Sequence, residues 1–302
     1  MTNGHDRYFA GLRVRSAVAL PDLMAWTGEE RTPDITIEAG RVPDTLPDLV
    51  VERPLLQVAV DGACRFIVPG VAAWWIAPDG SRVIVEMMGT DQTGMRTFMY
   101  GRIFAILLMR HGYLPLHACC VERDGRAYAI SGHSGAGKSS LAMQLVSLGY
   151  RLLADDVTVI DLSVPGAPLA MPTFPRVKLW RDMLDRLDID AGALEPVRAG
   201  ITKYSQPVTA AFCPDPRPLT ALLLLDADIE PGRLLPLQSL NQMQTIIYRP
   251  QMMLRLGLGE QQMRHYLALM SAMGGCTAIR RPETPGALEA LRAMLAVSSG
   301  ST

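Results

Sequence analysis

The chain has no Cys-x-x-Cys pair, and its five cysteines (Cys64, Cys119, Cys120, Cys213 and Cys276) are odd in number and scattered. That pattern excludes a zinc ribbon and the regular framework of a disulfide-stapled secreted domain, and a reducing, cytoplasmic setting is expected. Long apolar runs are missing as well. The longest in the front half, Ile103 to Met109, stops at Arg110 after seven residues, against the roughly 20 that a membrane-spanning helix needs. Asp6, Arg7, Arg13 and Arg15 interrupt the opening stretch, where a signal peptide would keep an unbroken apolar core. The mature chain is expected to begin near Met1 and to have no membrane partner. No block of Lys or Arg stands out, and the net charge is −1 with a pI near 6.5. The electrostatic footprint of a duplex-binding protein is absent, so nucleic acid is not an expected partner.

What is present is enough apolar residue, 49% of 302 positions, to bury a core without outside help. Leu56–Val60, Cys64–Val68, Trp74–Ala77 and Arg82–Met87 are short apolar runs separated by Asp61-Gly62, Pro69-Gly70 and Pro78-Asp79-Gly80. This spacing predicts an antiparallel meander. Arg96 to His111 reads as a helix closed by Gly112. Residues 1–112 are therefore expected to form a β-rich α+β domain suited to substrate recognition, and residues 113–302 an α/β catalytic domain. In the second part, Leu116–Val121 and Arg126–Ser131 flank Asp124-Gly125 and predict a hairpin. Ser131 opens into a glycine-rich loop, followed by a helix from Lys138 to Leu148, a stop at Gly149 and a strand over Arg151–Ala154. Ala221–Leu225 is strand-like, and Glu260–Met273 and Thr284–Val297 are helical, the latter with Thr284 as N-cap and Pro285 at its first position.

The central motif is Gly132-His133-Ser134-Gly135-Ala136-Gly137-Lys138-Ser139, which fills every fixed position of G-x-x-x-x-G-K-[ST]. Glycines let backbone N–H groups turn around phosphate oxygens, and the following helix presents its positive end to the anion. Gly132, Ser134, Gly135, Ala136, Gly137, Lys138, Ser139 and Ser140 are thus the nucleotide-binding set. Lys138 would bridge the β and γ phosphates, and Ser139 would serve Mg²⁺. A chance glycine turn is the bland alternative, but the apolar strand before the loop and Leu141, Leu145 and Leu148 after it supply the context of a phosphate loop.

Seventeen residues after Lys138, Leu152-Leu153-Ala154 ends in Asp155-Asp156. A strand next to the loop strand would set both carboxylates at the C-terminal edge of the sheet, one to hold Mg²⁺ and the other to accept a proton. The bland reading is a polar turn. His117, on the strand before the loop strand, can face the same site, although a lone histidine on an apolar strand is more often a packed residue. His133 occupies a variable loop position. Leu222–Leu225 followed by Asp226 imitates a strand ending in a metal-binding aspartate, but Asp228, Glu230, Pro231 and Gly232 read as a hairpin exit. Arg176 and Lys178 are candidates for phosphate or an acidic substrate, against the alternative of a solvated basic strand edge. Lys203 and Arg249 are isolated cations that spacing does not support.

Taken together, Leu116-His117-Ala118, Ser131–Ser139 and Gly149-Tyr150-Arg151-Leu152-Leu153-Ala154-Asp155-Asp156 resemble the catalytic core of the HPr serine kinase family. In that family a histidine, a G-x-S-G-x-G-K-S loop and a G-x-R-L-x-A-D-D strand follow in this order. The likeness covers residues 113–160, with Pro175–Trp180 and Ala278-Ile279-Arg280-Arg281-Pro282 matching more loosely. It implies a P-loop kinase core of the HPr kinase and PEP carboxykinase type, a β-rich α/β sheet wrapped around the loop. It further implies Asp155 as general base aided by His117, Asp156 and Ser139 at the metal, ATP and Mg²⁺ as cofactors (with GTP as the alternative nucleotide), and a homo-oligomer. No Arg-Gly-Leu-Gly-type segment lies between Val157 and Ala210. The chain is more similar to shorter HPr-kinase-like proteins, including kinases that phosphorylate a C-terminal serine of lasso-peptide precursors. A serine kinase acting on a peptide or small protein is therefore expected. The alternatives are a kinase acting on HPr or a small metabolite, and a non-catalytic nucleotide-binding regulatory module.

Overall fold

A computed structural model describes residues 5–197, 200–282 and 284–297; the expected chain start near Met1 lies outside them. The described residues divide into two units, one made of 5–113, 197, 200 and 251–260, the other of the remainder. In the first, some strands alternate buried and less buried side chains. Over Arg82–Met87, for example, Val83 and Val85 point inward, the period-two pattern of a sheet with one covered face. Leu56–Ala59, Cys64–Val68, Ala72–Ile76 and Arg82–Met87 pair antiparallel as consecutive neighbours, which is the expected meander. They belong to a nine-stranded sheet.

The helix expected from Arg96 begins earlier, at Gln92, because the Asp91 carboxylate caps it by accepting the Gly94 N–H at 2.8 Å. It continues through a π-helical stretch, Met99–Ile103, into Phe104–Arg110, and Gly112 follows with φ +84°. Every residue from Ile103 to Met109 is buried, so the run that is apolar all round is a core helix. No helix among the described residues is long and apolar enough to cross a membrane.

The second unit is a mixed α/β assembly. Its larger sheet runs in the order Leu114–Leu116, Thr158–Asp161, Leu169–Met171, Arg217–Leu225, Arg126–Gly132, Ala118–Arg123, Arg151–Ala154, and Cys276–Ile279 also pairs with Arg217–Leu225. A smaller sheet contains Arg176–Trp180, Lys203–Pro207 and Glu195–Pro196. Alternate residues of three neighbouring strands, namely Cys119 and Val121, Tyr128 and Ile130, and Ala221, Leu223 and Leu225, make one apolar face. The helix Lys138–Ser147 covers this face with Leu141, Ala142 and Leu145, and the helix Pro285–Val297 with Leu291 and Leu295. Each leucine so buried contributes roughly 1.5–3 kcal/mol. Gly149, with φ +90°, ends the first helix as expected, and Thr284 Oγ1 accepts the Ala287 N–H at 3.2 Å to cap the second. The helix expected over Glu260–Met273 spans Gly259–Met273.

Two expectations need correction. The predicted strand Leu116–Val121 is broken at His117. Leu116 pairs with Thr158, whereas Ala118 pairs with Ser131, and the His117 N–H is drawn off to Ile246 O at 2.7 Å. The acidic strand Arg151–Ala154 is also not the neighbour of the loop strand Arg126–Gly132. Ala118–Arg123 lies between them, antiparallel to both. The two outer strands therefore run the same way, and their C-terminal ends, carrying the loop and the acidic pair, still emerge at one edge.

Candidate active site

The site is built from that edge. At the end of the loop strand, Gly132 has φ +152°, and a Cβ there would stand 2.4 Å from Leu225 O; no side chain fits. Gly135 and Gly137 also have positive φ, and Gly137 leads directly into the helix that opens with Lys138 and Ser139. The Lys138 ammonium turns back over the loop, donating to Gly132 O at 2.7 Å, His133 O at 3.0 Å and His117 Nε2 at 3.0 Å. Because the ammonium can only donate, Nε2 is the acceptor, and the ring proton sits on Nδ1, which faces Asp156 Oδ1 at 3.8 Å. Burial and the Lys138 charge hold the imidazole below its ordinary pKa. Burial likewise lowers the Lys138 ammonium. Burial of the ring and the Lys138 charge leave His117 neutral at pH 7.

The two adjacent carboxylates have different partners. Asp155 is buried, and its Oδ1 accepts the Ser139 hydroxyl at 2.7 Å and the Cys119 thiol at 2.9 Å; its Oδ2 accepts the Lys178 N–H at 2.7 Å. Asp156, with φ +68°, projects the other way and accepts the Lys178 ammonium at 2.9 Å. Burial works against its charge, but Lys178 overcomes that and holds the carboxyl well below the usual carboxylate range. Burial opposes the Lys178 charge too, and Asp156 more than offsets it. Ser139 thus shares its oxygen neighbourhood with Asp155, and His117 faces Asp156.

His117, Asp156, Lys178 and Lys138 line one pocket with Ser134, Gly135, Gly137, Ser139 and Ser140 of the loop and helix start. Gly132, Ala136, Asp155 and Arg176 are not on its wall. Gly132 and Asp155 act from behind it through the contacts above. The Arg176 guanidinium lies over the Phe174 ring at 5.3 Å and reaches Ser205 Oγ at 3.3 Å. Arg249 sits over Tyr248, 5.1 Å from the ring. The strand ending in Asp226 proves to be the parallel neighbour of the loop strand, yet its carboxylate faces His133 at 3.8 Å outside the pocket.

Sequence reasoning assigns no role at the site to several wall residues, although Trp180 and Arg281 fall in the loosely matching segments and Lys203 is read as an isolated cation. Trp180 and Lys203 oppose each other across two strands, with the ammonium 5.6 Å from the ring centre, and Asp182, Met183 and Arg281 also line the pocket. Cys119 was also overlooked. No local signal marks it, because its contact with Asp155 comes from the pairing of Ala118–Arg123 with Arg151–Ala154. Burial, with Asp155 beside it, pushes the thiol well above its ordinary pKa, so it remains a protonated donor.

A magnesium ion fits this donor set. Asp155 and Ser139 offer hard oxygens side by side, and the one sulfur close by is kept protonated. No group of three or more His, Cys, Asp or Glu side chains among the described residues could hold a metal unaided. Mg²⁺ that is bound through one or two side chains plus substrate phosphates needs no such group.

The chain matches no family model. Over 85 residues it is 34% identical to the HPr kinase/phosphorylase of Treponema pallidum (strain Nichols), covering 28% of this chain and 25% of that protein. Over 121 residues it is 30% identical to the HPr kinase/phosphorylase of Nitrosomonas europaea, covering 38% and 36%. The chain therefore spans only about a quarter to a third of the length of these curated relatives. The solved Hpr(Ser) kinase/phosphatase from Coxiella burnetii aligns with 62% of this chain and 99% of its own at 13% identity. Its TM-score of 0.32 is too low to carry a statement about the fold.

Proposed function

We propose that the chain is a P-loop kinase of the HPr kinase type that transfers the γ-phosphate of ATP to a serine hydroxyl of a peptide or small protein. A C-terminal serine of a ribosomally made, lasso-type precursor is the favoured acceptor. The observation that carries the reading is the division of labour at one loop: Ser139 against Asp155 on one side of Lys138, and His117 against Asp156 on the other. The partial likeness to HPr kinase/phosphorylases supports the reaction class. The lasso-type acceptor rests on the sequence resemblance alone.

In this reading Ser139 on the pocket wall, with Asp155 hydrogen-bonded behind it, would hold Mg²⁺, which when bound supplies charge neutralisation of the phosphates. Lys138 leaves the loop carbonyls to donate to the β and γ phosphates, and the loop N–H groups cradle the remaining oxygens. Asp156 accepts the proton of the serine hydroxyl as the new O–P bond forms. The bond to the β-phosphate breaks, and its electron pair leaves on the nucleoside diphosphate. The depressed pKa makes Asp156 a weak base, which is tolerable because proton removal is a small part of phosphoryl transfer and positioning the larger. His117 stands beside the base, its Nδ1 3.8 Å from Asp156 Oδ1. This assigns the base to Asp156 and the metal to Asp155, the reverse of the roles implied by the resemblance.

Paired variants test the allocation. Asp156→Asn is expected to lower kcat by about 10²- to 10⁴-fold while leaving Mg²⁺-dependent ATP binding intact. Asp155→Asn is expected to abolish the Mg²⁺ dependence of ATP binding. The opposite pattern would return the base to Asp155.

A further inference from the structure

We infer that Arg281 is the residue that grips the leaving nucleoside diphosphate, binding its α- and β-phosphate oxygens; this rests on the kinase reading of the loop. Three strands run parallel in succession: Arg126–Gly132, Arg217–Leu225 and Cys276–Ile279. Gly132 stands beside Leu225, and Leu225 beside Ile279. The segment after Ile279 therefore leaves the sheet at the same edge as the phosphate loop. Pro282 is buried, which pins the turn, and Arg281 lines the pocket. Its side chain lies against the loop, with Cδ, Nε and Cζ each 3.2 Å from where a Cβ on Gly137 would be.

The guanidinium is also uncommitted. Neighbouring Arg280 pairs with Glu230 at 3.3 Å, whereas Arg281 has no carboxylate partner among the described residues. An unpaired planar fork held against a phosphate loop matches two phosphate oxygens at once. Strand order decides which phosphates it meets. The acidic strand lies two places from the loop strand on one side, and Cys276–Ile279 two places away on the other. The acceptor is activated on the Asp156 side. In-line transfer sends the leaving group away from the acceptor, toward the flank that Arg281 occupies. Contact there serves ATP and ADP alike, unlike a contact with the terminal phosphate.

The test is calorimetric titration of the full chain with ADP and with a non-hydrolysable ATP analogue. It compares the unaltered protein with Arg281→Met, which keeps the aliphatic packing over Gly137, and with Arg281→Lys. The expected result is a Kd raised about tenfold by Arg281→Met for both nucleotides equally, with part of the loss recovered by Arg281→Lys. Unchanged binding in Arg281→Met would overturn the inference. So would a loss confined to the ATP analogue, which would put the contact on the γ-phosphate, or an equal loss in the lysine variant with a lowered Tm, which would make the role one of packing. If the unaltered protein binds neither nucleotide, the kinase reading falls and takes this inference with it. Nucleotide binding that depends on Arg281 without phosphorylation of any acceptor would leave the α- and β-phosphate contact standing and refute the kinase reading together with the leaving-group role.

Discussion

The protonation states around Asp156 set the expected pH behaviour. His117 is depressed by burial and by Lys138, so it is neutral above its ordinary value of about 6.5 and charges only in more acid solution. Protonation puts a positive charge against the Lys138 ammonium, so kcat/KM is expected to fall on an acid limb lying below pH ~6.5. His117→Asn should remove that limb, and a limb of unchanged position in this variant would separate it from the imidazole. The same groups contribute to stability. Asp156 has a lowered folded pKa, so its contribution is complete above the unfolded value of about 3.9 and is lost as pH falls through the folded one. Urea titrations should show Asp156→Asn less stable by about 1–3 kcal/mol at pH 7, because Lys178 loses its charged partner. The difference should shrink in acid. Of these residues, the turn of the loop into its helix and the place of Asp155-Asp156 at a strand end were legible in the sequence because both are local. The partners Cys119 and Lys178 were not assigned to them, since those contacts are decided by strand pairing.

Individual elements were legible where the signal is short-range. The glycine stops at Gly112 and Gly149, the strand Cys64–Val68 and the helix after Lys138 all follow from residues within a turn of their boundaries. The break at His117 was not legible, because it depends on Ile246 and Thr158, far along the chain. Nor was the strand between the loop strand and the acidic strand, since a helical crossover is compatible with a skipped position. The packing beneath the loop makes its own prediction. Leu145 is fully buried between sheet and helices, and Leu145→Ala is expected to cost about 2–5 kcal/mol, read as a lowered urea midpoint. Gly132→Ala should be more damaging to nucleotide binding than to stability, because the loop must shift to free its Cβ from Leu225 O. Retained ATP affinity in that variant would contradict the close approach.

For the whole molecule, the sequence has no Cys-x-x-Cys pair, no block of basic residues and no long apolar run. It could not order the strands. The second unit brings Gly132, the acidic pair and Arg281 to one sheet edge from three separate stretches of chain, and only the first two carry a local motif. The central claim is that this edge performs phosphoryl transfer to a serine hydroxyl. It is tested most directly by mass spectrometry of serine-ended precursor peptides incubated with the full chain, ATP and Mg²⁺, beside Asp156→Asn. A gain of one phosphate on the terminal serine, lost in the variant, is the predicted result. Tight nucleotide binding with every peptide unmodified would contradict it.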